Sequence, residues 1–286
     1  MKILFIGATG MLGKPVAKEL INSGFDVSMF VRDVNKAQAL FPGAKAERGD
    51  IFDKDSIVSA MTGKDAVYCN LSVSQTSKEK DKQPEREGID NIIAAAKYTG
   101  LKRIACISSL VHRYEGMNGF HWWAFQIKNS AIQKIKASGT TYTIFYPSTF
   151  METYPFQVIH KNKIMMLGDS LMPMWLIAAA DYAKQVAASF GISTTENKEY
   201  NVQGTEPYTF GEANKIFIEN YRKAKLKTMK VPIGLMNFLG NFNQRFNYAW
   251  HICEALNKYP EKFESEQTWK ELGTPAISLA DYAKSL

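Results

Sequence analysis

The chain has 286 residues, of which 45% are hydrophobic and 22% are charged, as in an ordinary globular protein large enough for one sizeable domain. Its net charge is +7, but no nucleic-acid recognition module surrounds the densest basic run, 221–230, so we expect no nucleic-acid partner. That run is typical of a solvated face or of a loop after a helix, and an anionic cofactor or a membrane-surface contact would also match it.

Cysteine, histidine and hydropathy patterns argue against a disulfide-stabilised, metal-binding or membrane-spanning protein. The three cysteines are far apart and predict buried free thiols, and the four histidines lack metal-ligand spacing, so we expect no metal site. No apolar run approaches the ~18 residues of a membrane-spanning helix, and the apolar run at the N-terminus is too short for a signal peptide. We therefore expect a cytoplasmic monomer or homodimer with a small-molecule substrate and no membrane partner.

Strand and helix patterns alternate through the first half of the chain. Short apolar runs predict six strands, and apolar residues at helical spacing predict the helices between them. The strands fall within 2–7, 26–33, 44–51, 65–73, 103–110 and 142–147, and the helices within 11–24, 36–40, 53–61, 85–100 and 129–139. Helical connections join parallel strands, so we predict an α/β fold with a Rossmann-type doubly wound parallel sheet, residues 1–150 forming the nucleotide-binding domain.

The alternation is lost after residue 150. Helices are predicted within 178–191 and 209–224, a strand within 198–204, and further helices near the C-terminus. Thr209 and Glu212 have the spacing of a capping box, which predicts a helix start. We predict that residues 151–286 form a smaller, mostly helical substrate-binding region packed on the same core.

A glycine-rich segment lies between the first predicted strand and the first predicted helix. In G-x-x-G-x-x-G, one glycine permits a tight turn, one lets the backbone approach a pyrophosphate, and one lets the helix pack closely on the strand. Amides at the helix N-terminus favour the negative charge of phosphates. The loop residues predicted to bind a dinucleotide are Gly7, Thr9, Gly10, Met11, Leu12 and Gly13.

The end of the second predicted strand indicates which dinucleotide binds. A carboxylate there would bind the ribose 2′-hydroxyl, whereas an arginine accommodates a 2′-phosphate. Arg32 ends this strand, Asp33 has the position of a helix N-cap, and Lys36 follows one turn later. The pattern favours NADP(H) over NAD(H).

Four segments together resemble the NmrA-like, NAD(P)-binding atypical branch of the short-chain dehydrogenase/reductase superfamily. They are "GATGMLGKPVAKELINSGFDVSMFVRD", "GDIFDKDSIVSAMTGKDAVYCNLS", "CISSL" and "SGTTYTIFYPSTFME", and the resemblance covers roughly residues 1–155. It implies further cofactor-binding residues: Asp50 and Ile51 near the adenine, Asn70, Leu71 and Ser72 along the cofactor, and Ser109, Tyr146 and Pro147 on its nicotinamide side.

The resemblance also implies a catalytic serine, tyrosine and lysine, with the lysine four residues after the tyrosine. Ser109 and Lys128 match this pattern, but Ala124 occupies the tyrosine position. Lys128 is then a cofactor-ribose ligand, a proton donor or an ordinary surface lysine, and His121 or Tyr114 could replace the missing acid. Trp122 and Trp123 could stack on a flat substrate or pack internally.

These features predict an NADP(H)-dependent oxidoreductase that reduces a small carbonyl, enone or quinone. Two alternatives stay open: a non-catalytic protein that senses NADP(H), and an enzyme resembling sugar-nucleotide epimerases or dehydratases. The absent tyrosine disfavours the last, because that chemistry normally requires it.

Overall fold

A seven-stranded sheet forms the centre of the computed structural model, which describes residues 1–192 and 195–286. Every neighbouring pair of strands in this sheet is parallel. Its strands are β1 (Lys2–Ile6), β2 (Asp26–Val31), β3 (Lys45–Arg48), β4 (Ala66–Cys69), β5 (Arg103–Ile107), β6 (Thr141–Pro147) and β9 (Lys198–Val202). All six strands expected in the first half are confirmed, and so is the strand expected within 198–204.

The strand order is β3-β2-β1-β4-β5-β6-β9. The order reverses between β1 and β4, so the crossover helices leave the sheet in opposite directions on either side of this point. A crevice therefore opens where the carboxyl ends of β1 and β4 lie side by side, and such crevices are where open α/β sheets bind ligands. The predicted doubly wound sheet is confirmed.

Helices cover both faces of the sheet. The first group is α1 (Gly13–Asn22), α2 (Val34–Leu40), α3 (Lys54–Met61), α4 (Ile89–Thr99), α5 (Trp123–Lys136) and α6 (Ala179–Gly191). One buried core joins α1 and α6 to the sheet through Val16, Leu20, Tyr182 and Val186. The core on the other face joins α3, α4 and α5 through residues such as Ile57, Ile92 and Ile132. Both faces of the parallel strands are thus buried, as such a sheet requires.

The C-terminal region adds a second, smaller sheet at the carboxyl edge of the first. Its strands are β7 (Ile159–His160), β8 (Lys163–Leu167) and β10 (Lys227–Val231), and its helices are α7 (Phe210–Asn220), α8 (Ile233–Gly240), α9 (Gln244–Lys258), α10 (Glu266–Leu272) and α11 (Leu279–Ser285). β10 was not predicted, because three of its neighbouring residues and two of its own are lysine or arginine. α8 was not predicted either, because its apolar residues lack helical periodicity.

Local capping patterns predicted several element ends correctly. The Asp33 carboxylate caps α2 by accepting from the Lys36 amide at 3.0 Å, and Thr209 and Glu212 form the expected capping box. Gly24 has φ +82°, the left-handed conformation that often follows a helix. Two helix starts differ from prediction: α5 begins at Trp123, and α4 begins at Ile89, after the separate π-helical turn Pro84–Gly88.

Candidate cofactor and substrate site

The glycine-rich loop fills the turn from β1 to α1. A Cβ on Gly7, whose φ is +91°, would lie 2.2 Å from the Asn70 carbonyl oxygen, and a Cβ on Gly13 would lie 2.1 Å from the Gly7 carbonyl oxygen. Internal packing therefore requires both glycines. A Cβ on Gly10 would meet nothing closer than 3.4 Å, so the fold itself does not require glycine there. Gly10 instead faces the cavity, where a missing side chain would let a phosphate group approach the backbone.

A cavity of about 440 Å³ lies at the carboxyl edge of the sheet, a size within the ordinary range of ligand sites. It collects residues from both halves of the chain. The predicted site residues that line it are Gly10, Met11, Leu12, Asn70, Leu71, Ser72, Ser109, Lys128 and Pro147. The structure thus brings most of the predicted nicotinamide side of the site to one place.

The predicted adenine-side residues lie outside this cavity. Arg32 and Lys36 are exposed beyond the end of β2, next to the loop that follows β1. The Asp50 carboxylate accepts from the Phe52 amide at 2.9 Å, and the Ile51 carbonyl accepts from the Asn91 side chain at 3.0 Å. Thr9 is half-buried in the loop. Both cations remain available to an anionic group at the end of β2.

The Lys128 ammonium donates to the carboxylate of Glu85 in an ion pair that the sequence analysis missed. The two side chains are only 15% and 5% exposed. The second oxygen of Glu85 accepts from the Val73 amide at 2.9 Å, so the carboxylate is bonded on both sides. No sequence signal could single out Glu85, since Glu79, Asp81 and Glu87 lie in the same stretch.

Ala124, at the position expected to hold tyrosine, is 3% exposed and packs in an aromatic cluster. The Trp122 ring in that cluster stacks on His251 at 5.1 Å, and the Trp123 ring meets Trp122 edge to face at 6.5 Å. Neither tryptophan lines the cavity. The pair therefore packs internally, which was the alternative to stacking on a substrate.

The two residues considered as replacement acids point elsewhere. The Tyr114 side chain is buried, its ring packs 5.0 Å from Phe120, and its hydroxyl accepts from Asn118 at 3.4 Å. His121 is exposed and its Nδ1 pairs with Glu115 at 2.8 Å. Neither residue lines the cavity, so the geometry does not favour a catalytic role for either, and these roles stay predictions.

A buried histidine supports the serines at the end of β5. The His112 ring lies 3.3 Å from the Ser108 hydroxyl and makes a short contact with the Ser109 carbonyl. Burial, helped by the charge of Lys128, lowers the pKa of His112 to about 4, so the ring is neutral at pH 7. It stacks 5.8 Å from Tyr146, whose hydroxyl donates to Glu199 at 2.7 Å. Tyr146 does not line the cavity, in contrast to Pro147.

The far end of the cavity holds one carboxyl group. Glu261 accepts from the Ser148 hydroxyl at 2.9 Å and from the Gln203 side chain at 2.8 Å, and burial raises its pKa. Burial also raises the pKa of the nearby Cys253 thiol to about 12, so that thiol is not a ready nucleophile. The remaining walls are largely apolar and include Phe125, Phe150, Val158, Met165, Met174, Tyr248, Ile252 and Leu256.

A phosphate-binding loop at the topological switch point, beside a mostly apolar cavity, defines a dinucleotide-binding Rossmann protein. The profile of the NAD(P)H-binding family matches residues 7–190, and the chain belongs to that family. The resemblance to NAD(P)-binding atypical short-chain dehydrogenases/reductases is thereby confirmed, while the narrower NmrA-like branch stays a prediction.

Similar proteins include both reductases and assembly factors. The photosystem II assembly factor Ycf39 of Cyanophora paradoxa is 25% identical over 262 residues, 90% of this chain and 79% of the relative. The NADPH-dependent quinone oxidoreductase of Escherichia coli, solved with NADPH, superposes with a TM-score of 0.77 at 21% identity and covers 99% of each chain. The triphenylmethane reductase of Citrobacter sp., solved with NADP(H), has a TM-score of 0.77 at 21% identity over 99% of each chain. These structural likenesses establish a shared fold.

Within residues 1–192 and 195–286, no helix combines the length and apolar character needed to cross a bilayer. The expected cytoplasmic location stays a prediction.

Proposed function

We propose that this protein is an NADP(H)-dependent oxidoreductase that reduces a small uncharged carbonyl, enone or quinone, with a quinone as the best match. The observation that carries the proposal is the shared cavity: the phosphate loop, Lys128 and an apolar chamber open onto one space at the switch point of the sheet. Such a chamber favours a flat, uncharged acceptor, because a charged one would lose its hydration without gaining a partner.

The cofactor would lie across the carboxyl ends of β1 and β4. Amides of the loop around Gly10 would bind its pyrophosphate, and Arg32 and Lys36 would bind a 2′-phosphate. Guanidinium and ammonium groups that are already exposed lose little hydration when they pair with phosphate. This part of the proposal favours NADP(H) over NAD(H).

When bound, the reduced nicotinamide supplies a hydride to the acceptor. Lys128 would hold the cofactor ribose and bring positive charge to the oxygen on which negative charge develops, while Ser109 would lie near that oxygen. Glu85 would fix the Lys128 ammonium in place. A quinone suits a site without the usual tyrosine, because its reduced form is a weaker base than an alkoxide and needs less help from an acid. The quinone and triphenylmethane reductases of the same fold support this acceptor class.

The test is a screen of the purified protein against quinones, aldehydes and enones, following the loss of NADPH absorbance. We expect turnover with at least one quinone and faster oxidation of NADPH than of NADH. NADPH binding, seen by its fluorescence, without turnover on any member of the panel would overturn the enzymatic proposal.

A second candidate is a non-catalytic protein that senses NADP(H). Ala124 in place of the tyrosine favours it, as does the similarity to assembly factors over 90% of this chain. This candidate predicts tight NADPH binding with no acceptor turnover, and a partner protein whose binding depends on the cofactor. A sugar-nucleotide substrate is disfavoured, because Lys128 is the sole lysine or arginine among the described residues that line the cavity, and it already pairs with Glu85.

A further inference from the structure

Helices α8 and α9 form a hairpin whose outer side carries large exposed apolar side chains. We call the four residues Leu235, Phe238, Phe242 and Phe246 the hairpin face; their exposed fractions are 48%, 60%, 77% and 40%. The rings of Phe238 and Phe242 lie 5.5 Å apart, edge to face. Isolated exposed apolar residues are normal on a protein surface, but a cluster within twelve positions marks a site of interaction.

The chain segment that contains the hairpin face carries charge of a single sign. Residues 221–253 contain six lysines and arginines and neither aspartate nor glutamate, so this segment accounts for six of the seven net positive charges of the chain. All six basic side chains are exposed: Arg222, Lys223, Lys225, Lys227, Lys230 and Arg245. Within the described part of the chain, one ion pair involves them, between Lys230 and Asp169 at 3.7 Å, with both side chains at least 70% exposed.

This charge selects among the possible occupants of the face. A second copy of the chain would bring the same positive segment against this one, and like charges oppose such pairing. A neutral apolar partner would leave the cations without a counterpart. An anionic surface with an apolar layer directly beneath it matches both features.

We propose that the hairpin face docks on an anionic lipid bilayer. The phenylalanine and leucine side chains would enter the region between headgroups and acyl chains, while the surrounding lysines and arginines would pair with lipid phosphates. We expected no membrane partner because no apolar run in the sequence is long enough to span a bilayer, but run length does not bear on binding at the membrane surface.

The same hairpin closes the candidate site. Tyr248, Ile252 and Leu256 of α9 line the cavity, while Phe242, in the turn before α9, and Phe246, in its first turn, are exposed. Docking would therefore place one cavity wall against the lipid, where an apolar acceptor is concentrated. This consequence rests on the proposed function, whereas the docking itself does not.

Co-sedimentation with lipid vesicles tests the proposal. We expect the full-length protein to sediment with vesicles of phosphatidylcholine and phosphatidylglycerol, to bind vesicles of phosphatidylcholine alone weakly, and to be released by high salt. The double variant Phe238→Ser/Phe242→Ser should bind the anionic vesicles at least about tenfold more weakly, because two inserted rings are lost. The triple variant Lys223→Glu/Lys225→Glu/Lys227→Glu should also lose binding.

The matched control is Tyr98→Ser/Phe156→Ser, which removes two aromatic side chains that are 80% and 68% exposed on other elements. It should bind anionic vesicles as the unaltered protein does, and circular dichroism and NADPH binding show whether each variant is folded. The proposal is overturned if anionic vesicles bind no protein, if neutral vesicles bind as much, or if the control loses as much binding. It is also overturned if sedimentation equilibrium shows a dimer that the Phe238→Ser/Phe242→Ser variant dissociates, since the face would then join two copies.

Discussion

The ammonium of Lys128, which lines the cavity, and the carboxylate of Glu85 form a buried ion pair, although 43 positions separate the two residues in sequence. Lys128 comes from α5 and Glu85 from the π-helical turn before α4. The pair places a positively charged group at the cavity, where we propose that the nicotinamide ribose binds. Each residue is the ion-pair partner of the other's buried charge.

Removing the lysine alone should therefore destabilise the protein. Lys128→Met leaves the Glu85 carboxylate buried and unpaired, and we expect the free energy of unfolding in urea to fall by about 3–5 kcal/mol. The double variant Lys128→Met/Glu85→Leu should recover part of that loss, the remainder being the unpaired Val73 amide. If this double variant folds and binds NADPH but reduces acceptors as fast as the unaltered protein, Lys128 has no catalytic role.

Lys134→Met is the control on the same helix. Lys134 pairs with Asp90 at 2.7 Å, but the two side chains are 40% and 51% exposed. An exposed pair contributes less than about 1 kcal/mol, so this variant should keep nearly all of its stability. Equal losses for Lys128→Met and Lys134→Met would mean that burial does not distinguish the two pairs.

Charge beyond the end of β2 should set the choice of cofactor. We expect Arg32→Ala/Lys36→Ala to weaken NADPH binding by about 10- to 100-fold, since charge-assisted bonds to the 2′-phosphate are lost, and to leave NADH binding unchanged. Titration of NADPH and NADH fluorescence measures both affinities. Lys45→Ala removes an exposed lysine that pairs with Asp26 at the amino ends of β3 and β2, away from the proposed 2′-phosphate site. This variant should change neither affinity. Equal affinity of the unaltered protein for both cofactors would contradict the assignment.

Substitutions at two glycines with positive φ distinguish the stability cost of backbone strain from the cost of steric overlap. Gly24→Ala adds a Cβ in open space at φ +82°, and we expect a cost of about 1–2 kcal/mol with unchanged NADPH binding. Gly7→Ala adds the same strain at φ +91° and also places the Cβ 2.2 Å from the Asn70 carbonyl oxygen. It should cost more stability and abolish NADPH binding, because the phosphate loop must move. Urea unfolding and calorimetric titration compare them, and normal NADPH binding by Gly7→Ala would refute the packing argument.

Glu152 should make the stability of the protein fall between weakly acidic and neutral pH. Burial raises its pKa from 4.5 to about 7, so the folded state favours the protonated carboxyl group. The stabilisation that protonated Glu152 provides is complete at pH values below its pKa in the unfolded chain, and it is lost as pH rises through about 7. The free energy of unfolding then falls by at most about 3 kcal/mol.

Urea unfolding at several pH values measures how the free energy of unfolding depends on pH, and Glu152→Gln should reduce that dependence. His112 acts in the opposite sense: its depressed pKa stabilises the fold above about pH 6.5 and loses that effect as pH falls towards 4. Subtracting the variant's pH profile from that of the unaltered protein isolates Glu152. A difference that does not change with pH would show that Glu152 titrates normally.

Local patterns determined most of the first half of the molecule. The alternation of apolar runs and periodic helices predicted the parallel sheet, and the position of Gly7, Gly10 and Gly13 between a strand and a helix predicted the phosphate loop. Asp33 was predicted as a helix cap from its place after β2. Each of these features depends on residues within a few positions of one another. Such short-range backbone sterics and hydrogen bonding can be predicted from the sequence alone.

Long-range packing decided the rest. The resemblance in sequence predicted that Lys128 occupies the position of the catalytic lysine, but only the tertiary structure paired it with Glu85, turned His121 and Tyr114 away from the cavity, and made α9 one of its walls. It also set four apolar side chains on the outer side of the α8–α9 hairpin. The physical reason is that a side chain's burial and partners depend on which elements pack together, and many arrangements of those elements satisfy the same local periodicity.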